Sequence, residues 1–179
     1  MASFRESSEF RVREAREEEW EAYRDLRLAS LASDPLAFGS TLERERPFPP
    51  EKWRERLRRD RSTPGTATWV AIDRTGEFVG TAAIAEFEGA LHLFAMWVAP
   101  AVRGRGVGRQ ILDAALERVQ SARSGASVVL EVNPRQEAAV HLYEARGFRR
   151  TGRSSPLGHT AGEVVIEMSL TLDARPSDG

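Results

Sequence analysis

Val98-Ala-Pro-Ala-Val-Arg-Gly-Arg-Gly-Val-Gly108 decides how this chain folds. It joins an apolar run, Leu91–Val98, to an amphipathic run that reaches about Arg123. Pro100 ends the first run as a strand, because proline has no N–H for a sheet ladder. Val107, Ile111, Leu112, Ala115, Leu116 and Val119 recur at helical spacing in the second. The junction is therefore a strand, a glycine-rich turn and a helix start. Gly104, Gly106 and Gly108 remove side chains there, so an anion can approach the backbone closely. The first helical amides lack internal partners, and the helix dipole adds partial positive charge. Arg103 and Arg105 add fork-shaped cationic donors. Together these features suit a pyrophosphate. A nucleotide-triphosphate loop needs a lysine that is absent here. The spacing Gly-x-Gly-x-Gly after three strands does not match the dinucleotide fingerprint either.

Outward from this loop, the chain predicts alternating elements. Phe10–Arg13 is a short strand, Glu17–Ala32 a helix, Asp34–Pro50 mostly loop, and Pro50–Arg61 a second helix. Thr66–Asp73 and Phe78–Phe87 are strands joined at Asp73-Arg-Thr-Gly76. Leu91–Val98 is apolar nearly throughout, as in a strand covered on both faces. After the helix ending near Arg123, Ser127–Val132 is a strand and Glu137–Arg146 a helix stopped at Gly147. Phe148–Gly152 and Val164–Leu172 complete a mixed sheet with helices on its faces. The expected organisation is one domain over 10–172, with flexible ends at 1–9 and 173–179.

Composition narrows the function. The 179 residues carry 26 basic and 27 acidic side chains, a formal net charge of −1. A nucleic-acid partner would favour a strongly basic domain, so none is expected. No cysteine is present, which removes thiolate nucleophiles and disulfides. Three scattered histidines do not suggest a metal, and no apolar run is long enough to span a bilayer. A cytoplasmic location without membrane contact is expected, since the first residues lack the apolar centre of a secretory signal.

Arg103-Gly-Arg-Gly106-Val-Gly108 after Val98-Ala-Pro100 resembles the first signature block of the GNAT superfamily of acyl-CoA-dependent N-acetyltransferases. Leu130-Glu-Val132 with Ala139-Val-His-Leu-Tyr143-Glu-Ala-Arg-Gly147-Phe148 resembles its second block, in order and correctly separated. The resemblance implies an α/β (α+β) fold: a mixed, mostly antiparallel twisted sheet of six to seven strands with helices on both faces. Strand Leu91–Val98 would splay from Ser127–Val132 and admit the pantetheine arm of acetyl-CoA. Backbone groups of Met96, Trp97 and Val98 would bond that arm as an added strand does. Arg103, Gly104, Arg105, Gly106, Val107, Gly108 and Arg109 would hold the pyrophosphate. Where many members have Asn, this chain has Gln136, and Asn133 at the strand end is an alternative contact.

The implied reaction moves an acetyl group from acetyl-CoA to a primary amine. The alternative is a non-catalytic acyl-CoA-binding regulatory module; transfer to a hydroxyl is a third reading. Tyr143 is the family-matched proton donor to the departing thiolate. For the base, His92 has a suitable unperturbed pKa, Glu86 or Glu88 could act through water, or a water chain could serve alone. Asp34–Pro50 and Gly152–Gly162 are expected to build the acceptor site, with Glu43 and Glu45 attracting a cationic amine. Phe38-Gly-Ser-Thr-Leu-Glu-Arg-Glu45 resembles a segment of some bacterial members. Small amines, amino acids, antibiotics and protein N-termini all remain open as acceptors, and a homodimer is an open assembly.

Overall fold

Short apolar runs become strands and amphipathic runs become helices in a computed structural model, which describes residues 9–58 and 63–173. Along the chain lie β1 (Arg11–Glu14), α1 (Trp20–Ser33), α2 (Leu42–Glu45), α3 (Pro50–Arg58), β2 (Ala67–Ile72), β3 (Phe78–Phe87) and β4 (Ala90–Val98). There follow α4 (Val107–Ala122), β5 (Ser127–Val132), α5 (Glu137–Ala145), β6 (Arg149–Pro156) and β7 (Val164–Thr171). One sheet takes the order β1-β2-β3-β4-β5-β7-β6. Its strands pair antiparallel except β4 with β5, which run parallel. The expected mixed, mostly antiparallel sheet is what forms.

Strand β2 shows how the helices come to lie on both faces. All six of its residues are buried. Trp69 and Ala71 join the core beneath α4, whereas Val70 and Ile72 join Tyr23 of α1 and Trp53 and Leu57 of α3. Successive side chains point to opposite faces of a strand, so each face has its own helical cover. The stripe Val107, Ile111, Leu112, Ala115, Leu116 and Val119 is buried in the larger cluster, as its spacing requires.

Gly80 of β3 lets α4 approach the sheet. A Cβ at that position would lie 2.8 Å from Ile111 Cδ1 and 3.2 Å from the Trp97 carbonyl oxygen. The first contact could move with a flexible side chain, but the second is backbone. Gly80→Ala is therefore expected to destabilise the protein by about 1–3 kcal/mol, as overpacking does. Chemical denaturation of the two proteins side by side measures it.

Several elements depart from the sequence expectation. The 34–50 segment is more ordered than a loop: a 3-10 turn at Pro35–Ala37 is followed by α2, whose Thr41 hydroxyl accepts the Arg44 N–H at 3.2 Å. Strand β6 does not stop at Gly152 but runs to Pro156. Gly152 has φ of +88° where the register against β7 shifts between Arg150 and Ser154. It is thus a bulge residue within the strand rather than its terminator. The expected helix to Arg61 is seen to Arg58; its remaining positions, and most of both expected flexible ends, lie outside the described residues.

A candidate active site between splayed strands

Strands β4 and β5 pair at only three positions, Leu91 with Val128, His92 with Val129 and Leu93 with Leu130. Beyond Leu93 they part. The cause lies in β4, whose register against β3 shifts between Thr81 and Ala83, and where Ala95 takes φ of +53°. An extra residue of this kind bends a strand and re-aims the residues beyond it. The segment from Phe94 to Val98 therefore has no sheet partner on its β5 side. This is also why β4 is not covered on both faces as its composition suggested: Phe94 is 36% exposed.

The opening is the mouth of a cavity of about 1150 Å³, a generous volume for a cofactor and a second reactant. Met96, Trp97 and Val98 line it on one side; Gln136, Leu142 and Tyr143 line it on the other. The backbone of β4 is thus available to an incoming extended ligand, except at one group. The Val98 carbonyl already accepts a hydrogen bond from Arg103 Nε at 2.9 Å.

The glycine turn lies at one end. Gly104 and Gly106 take φ of +76° and +79°, a left-handed backbone that glycine adopts without penalty. A Cβ at Gly104 would meet nothing within 4 Å, and one at Gly106 would meet only Gln110 Nε2 at 4.0 Å. The backbone there is bare. Gln110 N–H bonds to the Gly106 carbonyl at 3.0 Å, and the helical amides ahead of it have no partner within the helix. Gly104, Gly106, Val107, Gly108 and Arg109 all line the cavity. This cradle fits a pyrophosphate. Gly108 has a packing role as well: a Cβ there would touch Leu142 and Met96 at 3.4 Å.

The two arginines of the turn take different places: Arg103 lines the cavity and Arg105 does not. Arg103 Nη2 donates to Asp34 Oδ2 at 2.6 Å, and Trp97 Nε1 donates to the same oxygen at 2.7 Å. Burial pushes the Asp34 carboxyl up, but bonds from Ser33, Arg103 and Trp97 outweigh this and lower its pKa. Arg105 pairs with Glu9, stacks over Phe10 at 5.1 Å, and lies outside the cavity lining. Arg109 is the more available cation, with its side chain 67% exposed and Asp113 at 3.8 Å.

Tyr143 of α5 lies in the cavity wall, 5% exposed, with its ring edge-on to Phe148 at 5.8 Å. A tyrosine phenol carries its proton at neutral pH, and burial raises its pKa further, so the hydroxyl has a proton to donate. Among the other candidates, His92 lines the cavity, its ring 5.6 Å from that of Phe87. Glu86 does not line it; it is held by Arg123 Nη2 at 2.5 Å. Glu88 sits in the β3–β4 turn with φ of +51°, also away from the cavity. A carboxylate that sequence reasoning passed over, Glu131 of β5, does line it and accepts from Ser155 Oγ at 3.1 Å. Its only signal was its place inside the second block, between Leu130 and Val132.

Asn133 and Gln136 take separate roles. Asn133 is buried: its Oδ1 accepts the Arg135 N–H and its Nδ2 donates to Glu163 Oε2, both at 2.9 Å. It shapes the turn into α5 and does not reach the cavity, whereas Gln136 does. Phe38, Gly39 and Ser40, with Ser155, Pro156, Leu157 and Gly158, also line the cavity, in the two segments expected to build the acceptor site. His159 Nε2 lies 2.6 Å from the Phe38 carbonyl oxygen and ties these two segments together. Glu45 does not face an incoming amine. It is 1% exposed and bonded to Arg27 and Arg56. Among the described residues no group of His, Asp or Glu could hold a metal ion, and no helix is long and apolar enough to cross a membrane.

Comparisons with known proteins agree with this architecture. The model of the acetyltransferase (GNAT) family matches residues 13–148. The peptidyl-lysine N-acetyltransferase YjaB of Escherichia coli is 33% identical over 91 residues, covering 51% of this chain and 55% of that protein. The N-alpha-acetyltransferase RimI of Mycobacterium tuberculosis is 38% identical over 90 residues, covering 47% and 53%. The match thus spans about half the length of these curated relatives. A GNAT acetyltransferase structure from Streptococcus pneumoniae superposes with a TM-score of 0.77 at 23% identity, over 92% of this chain and 99% of that one. The structure of yncA from Salmonella typhimurium with its cofactor acetyl-CoA gives 0.73 at 20% identity, over 96% and 99%. At these identities the superpositions speak for the fold alone.

Proposed function

This chain belongs to the acetyltransferase (GNAT) family, and from that membership we propose that it transfers the acetyl group of acetyl-CoA to a primary amine. The observation that carries the reading is the continuous cavity that joins the bare start of α4, the unpaired edge of β4 and Tyr143. A thioester already reacts with amines, so the protein's task is to position two reactants and handle protons. The pyrophosphate lies on the amides of Gly104–Gly108, with Arg109 beside it. The pantetheine arm runs along β4 from Val98 toward Phe94. The neutral amine attacks the thioester carbonyl, a C–N bond forms and the C–S bond breaks. Tyr143 gives its proton to the leaving thiolate, and the amine's surplus proton leaves past His92 or Glu131 to solvent, which returns one to the Tyr143 phenolate.

Three results test this. Acetyl-CoA at ~100 times its dissociation constant should stabilise the protein by roughly 2.7 kcal/mol, read as a rise in melting temperature. A melting curve unmoved by millimolar acetyl-CoA would overturn the proposal. Gly106→Glu should abolish the rise, because it sets a carboxylate where phosphate would lie and forces a side chain onto a left-handed backbone. A broad amine screen followed by thiol release then separates an enzyme from a binding module.

A further inference from the structure

The same cavity is lined, away from the glycine turn, by Arg27 of α1 and Arg56 of α3. Both guanidinium groups converge on one carboxylate. Arg27 Nε and Nη2 donate to Glu45 Oε2 at 3.1 Å and Oε1 at 2.9 Å, and Arg56 Nη1 donates to Oε2 at 2.7 Å. Two full positive charges thus share one negative charge. Arg27 is 7% exposed, and its Nη1 is buried with no hydrogen-bond partner among the described residues. The Arg56 side chain is 19% exposed, and among the described residues only its Nη1 is hydrogen-bonded. Aromatic rings fix both groups: Phe38 lies 4.5 Å from Arg27, and Phe48 and Trp53 lie 5.1 and 4.9 Å from Arg56.

Such an arrangement is incomplete as it stands. A buried guanidinium left partly unbonded is costly, and native structures keep few such groups. Asp34, the other carboxylate at this side of the cavity, is committed to Arg103 and Trp97. A planar fork with free N–H groups on a cavity wall is matched by a carboxylate, which it can engage with two bonds. Building on the acyl-transfer reading, we propose that the acceptor is an amino acid, whose carboxylate binds Arg56 and Arg27 beside Glu45 while its amine faces the thioester. The cluster then sets acceptor specificity. Arg27 Nη1 is itself covered, so Arg56, partly exposed on the cavity wall, makes the first contact with that carboxylate.

The test is a panel of free amino acids, each assayed beside its carboxamide and its decarboxylated amine, with thiol release as readout. The wild-type protein should favour the best acid over its carboxamide by on the order of 10²-fold in kcat/KM, since a site built to bond a group rejects the analogue lacking it. Arg56→Gln should shrink that ratio at least tenfold, chiefly through KM for the acid, with the acetyl-CoA melting shift retained. A cluster that merely held the fold would lower all three classes alike. Carboxamides or simple amines turned over as well as the acids, or no acid turned over by protein that binds acetyl-CoA, would overturn the inference and leave cofactor binding intact. Loss of the acetyl-CoA shift in the wild type would instead sink the proposed function beneath it.

Discussion

Tyr143→Phe is expected to lower kcat by on the order of 10²-fold or more, with little change in acetyl-CoA affinity, since general-acid assistance contributes about that much. The substitution removes one hydroxyl and leaves the ring against Phe148, so packing changes little. The phenol is protonated at neutral pH, and burial raises its pKa further; this is the state a donor needs before the thiolate leaves. A factor of 10² corresponds to about 2.7 kcal/mol of barrier, more than the loss of a neutral packing contact would explain. Pre-steady-state thiol release, compared with the acetyl-CoA melting shift, separates chemistry from binding. Full kcat in the variant would remove Tyr143 from the mechanism.

Glu45→Gln is expected to cost about 3–5 kcal/mol of stability, the usual consequence of removing one partner from a buried ion pair. For a protein of this length that is a fall in melting temperature on the order of 10 °C. Burial by itself pushes the Glu45 carboxyl up, but the bonds from Arg27 and Arg56 prevail and hold it at about 2, below its ordinary 4.5. The sign comes from that direction. The contribution is fully present above pH 4.5 and is lost as the pH falls through about 2. Melting temperatures of wild type and variant should therefore lie far apart at neutral pH and converge in strong acid. A gap that stayed constant from pH 7 to pH 2.5 would mean that Glu45 does not stabilise through its charge.

How much of the fold is legible in the sequence depends on the range of each interaction. The stripe Val107–Val119 and the glycines ahead of it are local patterns, and local backbone preference placed the bare glycine turn at the start of α4. The order of strands and helices was legible for the same reason, because each run carries its own period. Gly152 misled because a glycine marks either a strand's end or a bulge within it, and only the pairing of β6 with β7 distinguishes the two. The widening of β4 from β5 depends on a register shift against β3, which no single segment encodes.

The charged residues show the other limit. From sequence, Arg103 and Arg105 belong to the phosphate loop, and Glu45 is expected to attract a cationic amine. In the fold, Arg103 reaches back 69 residues to Asp34 and Arg105 reaches back 96 residues to Glu9. Glu45 is enclosed by arginines from α1 and α3. Local pattern alone was enough for the alternation of elements, the bare helix start and the tyrosine beside its glycine stop, since steric and periodic rules act over a few neighbours. Which arginines stay available to a ligand was settled by the folded arrangement, because charges pair with whatever comes within a few ångströms, however distant along the chain.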